Sequence, residues 1–230
     1  MRLLDTRGAN PKLKKTSKAQ SVRYAGLSLY PDPVLCPGAK AAGCMAECLR
    51  VQGRGKFDSV TDARQARADF FYSNPVGFLQ QLDRELQNFS ALVTRNHNWG
   101  AVRLNVLSDI CWEDYGVPQK YPELLFVDYT KQARRLGRTP DNYRLIFSYS
   151  GREQYWNQNR VALQWGGPVA VVFRGGLPGQ YLGRPVWDGD RDDITNAFQT
   201  GCIIGLTAKG TAARDRSGFV IDNPDALAVG

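Results

Sequence analysis

Val102-Arg103-Leu104-Asn105-Val106-Leu107, closed by Ser108-Asp109, is the stretch on which the fold turns. It is a short apolar, β-branched run that stops at polar residues, and the pattern recurs. Leu124–Val127 stops at Asp128-Tyr129-Thr130-Lys131, and Arg144–Phe147 at Ser148-Tyr149-Ser150. Val169–Phe173 stops at Arg174, Val186-Trp187 at Asp188-Gly189-Asp190, and Cys202–Leu206 at Thr207-Ala208-Lys209. Helical candidates lie between several of them, at Trp112–Tyr115, Lys131–Leu136 and Arg152–Leu163. Apolar strands alternating with helices predict an α/β fold built on a mostly parallel sheet, covered on at least one face. With an alternating strand at Val22–Tyr30, seven candidates suit an incomplete or irregular (β/α) barrel or an open sheet. The Pro/Gly-rich segment 175–185 breaks the alternation and is where antiparallel pairing of the C-terminal strands would begin; Phe219–Ile221 reads as a last short strand.

Working outward, Asn74-Pro75 is an N-cap followed by proline at the first helical position. Phe78, Leu79, Leu82, Leu86 and Phe89 then recur at helical spacing, which predicts an amphipathic helix over 75–90. Ser59 reads as the N-cap of an earlier helix reaching about Tyr72. The composition, 43% hydrophobic and 23% charged, is that of a globular chain and argues against disorder. No apolar run approaches a membrane span, and the N-terminus lacks the apolar stretch of a secretory signal. Five cysteines are an odd number in a chain long enough to need no disulfide staple, which fits a reducing cytoplasm.

The net charge of +8 is concentrated near the start, where Arg2, Arg7, Lys12, Lys14, Lys15, Lys18 and Arg23 face only Asp5 within residues 1–24. Residues 1–20 show little periodicity and read as a basic flexible arm on a single α/β domain spanning 21–230. Such an arm favours polyanions, nucleic acid above all, through Lys12, Lys14, Lys15 and Lys18, although a solvated tail has the same composition.

The chemistry-bearing motif is Cys36-Pro-Gly-Ala-Lys-Ala-Ala-Gly-Cys44-Met-Ala-Glu-Cys48. Cys44 and Cys48 are four apart, so a helix would present both sulfurs on one face. The Pro37-Gly38 turn would fold Cys36 back over that helix end. Three convergent thiolates suit a thiophilic metal, either zinc or an iron–sulfur cluster. The alternative is three ordinary packing cysteines. Gly53-Arg-Gly55-Lys56 is not a phosphate-binding loop, because it lacks the required glycine gap and the hydroxyl residue after the lysine.

In parallel α/β folds, functional groups gather where strands reach their C-terminal ends. Asp109, Asp128, Ser148, Asp188 and Asp190 are therefore candidates for acid–base work or hard-cation binding, and Lys131 and Lys209 for neutralising a nucleotide phosphate. Asp192 and Asp193 read as helix caps instead. The lone histidine, His97, lies in a polar loop and reads as exposed. The tryptophans at 99, 112, 156, 165 and 187 are candidates for stacking on bases, with one or two expected in packing roles.

Cys36-Pro-Gly-Ala39 with its later cysteines, the Ser108-Asp109 and Tyr129-Thr130-Lys131 strand ends, and the Ser148/Ser150 strand end resemble the bacteriophage gene product 88 family over roughly residues 26–150. The resemblance implies a phage origin and an infected bacterial cytoplasm, and supplies no reaction. Where that family carries a further Cys-Phe pair, this chain has Lys56-Phe57-Asp58. In arrangement, a strand, a three-cysteine loop and a parallel half-barrel are similar to radical S-adenosylmethionine enzymes. That likeness implies a [4Fe–4S] cluster with one iron open to S-adenosylmethionine, although the Cys-x7-Cys-x3-Cys spacing here is not the one usual in that group. Two function classes follow from these readings. One is a metal- or cluster-dependent enzyme acting on a nucleotide or nucleic acid. The other is a non-enzymatic nucleic-acid-binding or host-takeover protein with a structural zinc.

Overall fold

The computed structural model describes residues 1–6, 11–20, 22–45, 48, 57–96 and 98–227. Gly53–Lys56, His97 and the side chain of Lys12 lie outside the described residues.

One open sheet of ten strands carries the fold, in the order β1-β2-β3-β4-β5-β6-β9-β8-β7. The strands are β1 (Leu4–Asp5), β2 (Arg23–Leu27), β3 (Gly100–Arg103), β4 (Leu124–Thr130), β5 (Tyr143–Ser148) and β6 (Val169–Arg174). They continue with β7 (Gln180–Tyr181), β8 (Arg184–Asp188), β9 (Ile203–Thr207) and β10 (Ile221–Asp222). From β2 through β6 to β9 and β8, every neighbouring pair is parallel. Antiparallel pairing is confined to the two margins, β1 on β2 and β7 on β8. The expected C-terminal switch to antiparallel strands is therefore limited to β7, since β9 and β10 both run parallel to β6. The two margins do not meet, so the barrel is incomplete.

Consecutive strands β2 to β6 sit side by side because each connection crosses one face and returns to the next lane. On that face lie α3 (Asp58–Ser73), α4 (Pro75–Arg95), α5 (Val117–Lys120) and α6 (Trp156–Trp165). Phe78, Leu82, Leu86, Phe89 and Val93 of α4 pack with Val102, Phe126, Leu145 and Val171 of the sheet. Asn74 caps α4 by accepting from the Gly77 N–H at 2.9 Å, with Pro75 in the first turn, as the sequence predicts. The cap of α3 differs from expectation. Its N-cap is Phe57 with no side-chain bond, and Asp58 rather than Ser59 begins the helix.

The other face is covered by α1 (Pro11–Gln20) and α7 (Asp193–Ala197). Leu13, Ile194 and Ala197 pack there on Tyr24, Ala101, Val127, Ile146 and Ile204. Part of the segment read as a basic flexible arm is thus a helix docked on the sheet. It escapes a periodicity reading because Leu13 and Thr16 alone among its described side chains are buried. Gly26 makes the docking close: a Cβ there would lie 2.4 Å from Leu13 Cδ1.

Strand β3 ends earlier than its apolar run suggests. The Asn105 N–H leaves the ladder and donates to Asp128 Oδ1 at 2.7 Å, which turns the chain out of the sheet. Beyond the end of β5, β10 takes its place beside β6: β5 pairs with Val169-Ala170, and β10 with Phe173-Arg174.

Candidate functional site

The cysteine loop docks on the C-terminal ends of β3, β4 and β5. Asp32 builds the turn, its Oδ1 accepting from the Val34 and Leu35 N–H groups at 2.7 and 3.0 Å. The Asp109 N–H then donates to Leu35 O at 2.7 Å, and the Cys36 thiol donates to Leu107 O at 3.1 Å. At Gly38 the loop runs against Lys131, whose Cβ would lie 2.5 Å from any Cβ added there. The short helix α2 (Ala39–Ala42) follows, with its Ala42 carbonyl accepting from Ser150 Oγ at 2.7 Å. Gly43, at φ +80°, ends it in the left-handed region that suits glycine. Cys44 then packs beside Phe219 and Val220, which reach over from the segment before β10.

Lys131 lies at the centre of this arrangement. Its ammonium is buried and donates to Ser148 O at 3.0 Å and to Tyr149 O at 3.5 Å, and it sits 4.4 Å from the Phe219 ring centroid. Among the described residues it has no salt-bridge carboxylate, and burial lowers its pKa, opposed by Cys44 and Asp109. Ser148 enters the site through its carbonyl. Tyr155 donates its hydroxyl to Lys131 O, which fixes the backbone behind the lysine.

Beneath Lys131 is a buried network that the sequence reading missed. Arg135 is clamped by Glu113 through Nε and Nη2 at 2.7 and 2.8 Å, and by Asp109 through Nη1 at 2.7 Å. It also donates to Tyr143 Oη at 3.0 Å. Asp109 takes the Lys131 N–H at 2.8 Å as well, so this acid braces the loop after β4. Asn105 is a hub, its Oδ1 accepting from Ser108 Oγ, Ile110 N and Trp112 Nε1 at 2.8, 2.9 and 3.1 Å. A polar residue inside the apolar run 102–107 was the legible signal for it. Trp112 is therefore a core residue, while Trp99, Trp156 and Trp165 are exposed.

Asp128 is not a rim residue, because β4 continues past it to Thr130. It is fully buried, and Tyr143 Oη donates to it at 2.8 Å. Burial pushes its pKa up to about 7, opposed by Arg103, the Asn105 N–H and Tyr143. An ordinary aspartate in the unfolded chain titrates near 4. The folded state thus holds this proton more tightly, and the stability it contributes is complete below the unfolded value and lost as pH rises through about 7. Asp128→Asn is expected to remove that decline. Urea midpoints measured between pH 5 and pH 8 should fall less steeply for the variant than for the parent chain.

Asp188, Asp190 and Lys209 form a second, separate group at the ends of β8 and β9. Lys209 Nζ pairs with Asp190 Oδ1 at 2.7 Å, Asp190 Oδ2 accepts the Thr207 N–H at 3.1 Å, and Asp188 Oδ1 accepts the Asp190 N–H at 3.0 Å. These contacts make a braced turn, and β9 lies three lanes from β4. Asp192 caps α7 as expected, accepting from the Thr195 N–H at 2.7 Å. Of the lysines of α1, Lys15 bonds the Asp190 carbonyl and Lys14 and Lys18 are exposed.

Cys44 and Cys48 are close enough to Cys36 to act on it electrostatically. Burial raises the Cys36 pKa, and the charges of Asp109, Cys48 and Cys44 add to that effect. None of the cysteines is disulfide-bonded. Among the described residues, however, no group of three or more His, Cys, Asp or Glu side chains is gathered so as to hold a metal ion. Asp109, Asp128 and Asp190 each accept from N–H, hydroxyl or cationic donors. A cavity of about 430 Å³ lies elsewhere, on the β1 margin, between Met1, Arg2 and Thr6 and the α4 residues Gln81, Glu85 and Phe89.

Fold and strand ends together define an open, mainly parallel α/β protein with a lysine- and cysteine-bearing C-terminal rim. A model of the phage family described as gene product 88 matches residues 3–223, and the chain belongs to that family. The match reaches well beyond the stretch 26–150 that carries the sequence resemblance. No curated protein and no solved structure matches, so the arrangement's similarity to radical S-adenosylmethionine enzymes gains no support. Among the described residues no helix is long and apolar enough to cross a membrane.

Proposed function

We propose that this phage protein is an enzyme of the infected bacterial cytoplasm, with its reaction centre where β3, β4 and β5 end. In this reading Cys36, Cys44 and Cys48 hold a thiophilic metal or an iron–sulfur cluster, and Lys131 faces an anionic group of a nucleotide or nucleic-acid substrate. The observation that carries it is the buried Lys131 ammonium, held by backbone carbonyls and aromatic rings beside the cysteine loop. Buried cations without a partner carboxylate are costly, and they cluster at functional sites. The donor set is sulfur-rich, which favours zinc or iron over magnesium or calcium. Metal binding would displace the Cys36 proton and its bond to Leu107 O.

Anaerobic purification followed by metal analysis and absorption spectroscopy tests the proposal. The expected result is stoichiometric iron and sulfide with a broad visible band, each lost in Cys36→Ala, Cys44→Ala and Cys48→Ala. A colourless chain with stoichiometric zinc would favour the non-enzymatic nucleic-acid-binding reading. A metal-free chain with all three thiols open to a thiol reagent would end the metal-centre proposal.

A further inference from the structure

The sheet face beneath α1 and α7 carries a polar cluster independent of the cysteine loop. Arg103 Nη1 donates to Asp193 Oδ2 at 2.9 Å, and the guanidinium lies 4.8 Å from the Tyr129 ring centroid. The Tyr129 hydroxyl donates to Asp193 Oδ1 at 3.0 Å and accepts from Asn196 Nδ2 at 3.3 Å. Asn196 Nδ2 also donates to Gly189 O at 2.8 Å, and Thr16 Oγ1 of α1 accepts from the Asp193 N–H at 3.4 Å.

Four buried side-chain atoms have no hydrogen-bond partner among the described residues: Trp187 Nε1 on β8 and, around the Arg103–Asp193 pair, Arg103 Nε, Tyr24 Oη and Asn196 Oδ1. Arg103 is 6% exposed, Tyr24 4% and Asn196 0%. Tyr24 pairs with Ala101 and Gly26 with Arg103, so Tyr24 and Arg103 rise from the same face on adjacent strands. Burial and the neighbouring Asp193 raise the Tyr24 pKa, which keeps its hydroxyl proton available for donation.

Polar atoms buried dry are rare in folded proteins, and three on one sheet face around the Arg103–Asp193 pair point to a shared partner. Two are donors and one is an acceptor. Arg103 and Asp193 cancel in charge, so an ion gains nothing there. A hydroxyl oxygen meets the demand, since it accepts from Arg103 and Tyr24 and donates to Asn196. We propose that this face binds a neutral hydroxylic guest, either an ordered water or the hydroxyl group of a small metabolite, sealed under α1.

Tyr24→Phe in the full chain tests it through the sign of the stability change. A hydroxyl bonded to a guest is missed when removed, so the expected result is a Tm lowered by several degrees. A dry hydroxyl is better absent, so an unchanged or raised Tm would overturn the proposal. Should the variant not fold, a crystal structure of the parent chain decides. Density within hydrogen-bond reach of all three atoms supports the site, and side chains closed on one another refute it. Native mass spectrometry of the parent chain then separates the sources. A bound mass released on denaturation identifies a metabolite, and the bare chain mass with that density identifies water.

Discussion

Replacing Arg135 by methionine is expected to lower folding stability by about 3–5 kcal/mol at neutral pH. The guanidinium is almost wholly enclosed, and so are both of its carboxylate partners, with side chains only 2% exposed for Arg135, 6% for Asp109 and 11% for Glu113. Methionine fills much of the volume yet leaves two acids in a medium that does not solvate them. Those acids can escape the penalty by taking up protons. The deficit should therefore shrink when unfolding is measured nearer pH 5, and a loss independent of pH would refute the account. Because Asp109 also holds the Lys131 N–H, the variant should loosen the cysteine loop and expose Cys36 to thiol reagents faster than in the parent chain.

Trp112→Ala carries the second large expected effect, again about 3–5 kcal/mol. The indole is 0% exposed and stacks on Phe78 of α4 with ring centroids 6.4 Å apart. Its Nε1–H is one of three donors to Asn105 Oδ1. Truncation leaves a cavity between the α3–α4 pair and the sheet and removes one support of the turn that aims Asp109. Trp112→Phe should recover most of the packing and none of the hydrogen bond. Equilibrium urea unfolding of the two variants separates these contributions, and equal losses would show that packing is not the larger one.

How much of this was legible beforehand follows from what each element buries. Strands β4, β5, β6 and β9 are covered on both faces, so they read as continuous apolar runs, and their polar ends marked the rim. The two-residue strands β1 and β7 have no room for a periodic signal, while the expected strand at Phe219–Ile221 meets β10 only at Ile221; the pairing of all three depends on lanes set by distant segments. The convergence of the cysteine loop and Lys131 followed from the strand-end rule. The same rule places acids near the rim without telling which are engaged with neighbours, as Asp109, Asp128 and Asp190 are. Arg135 was unreadable as the clamp because its partners, Asp109 and Glu113, come from the connection between β3 and β4.

The brevity of the two margins has a consequence for self-association. A long unpaired strand is a template on which a second chain can add its own and so begin a fibril. Here the outermost strand at each margin has two residues among the described ones, and at the β1 margin the Leu3 and Leu4 N–H groups are already taken by the Glu85 carboxylate at 2.7 to 3.1 Å. The β1 margin is thereby left with little purchase for stacking edge to edge, even where copies of the chain are crowded.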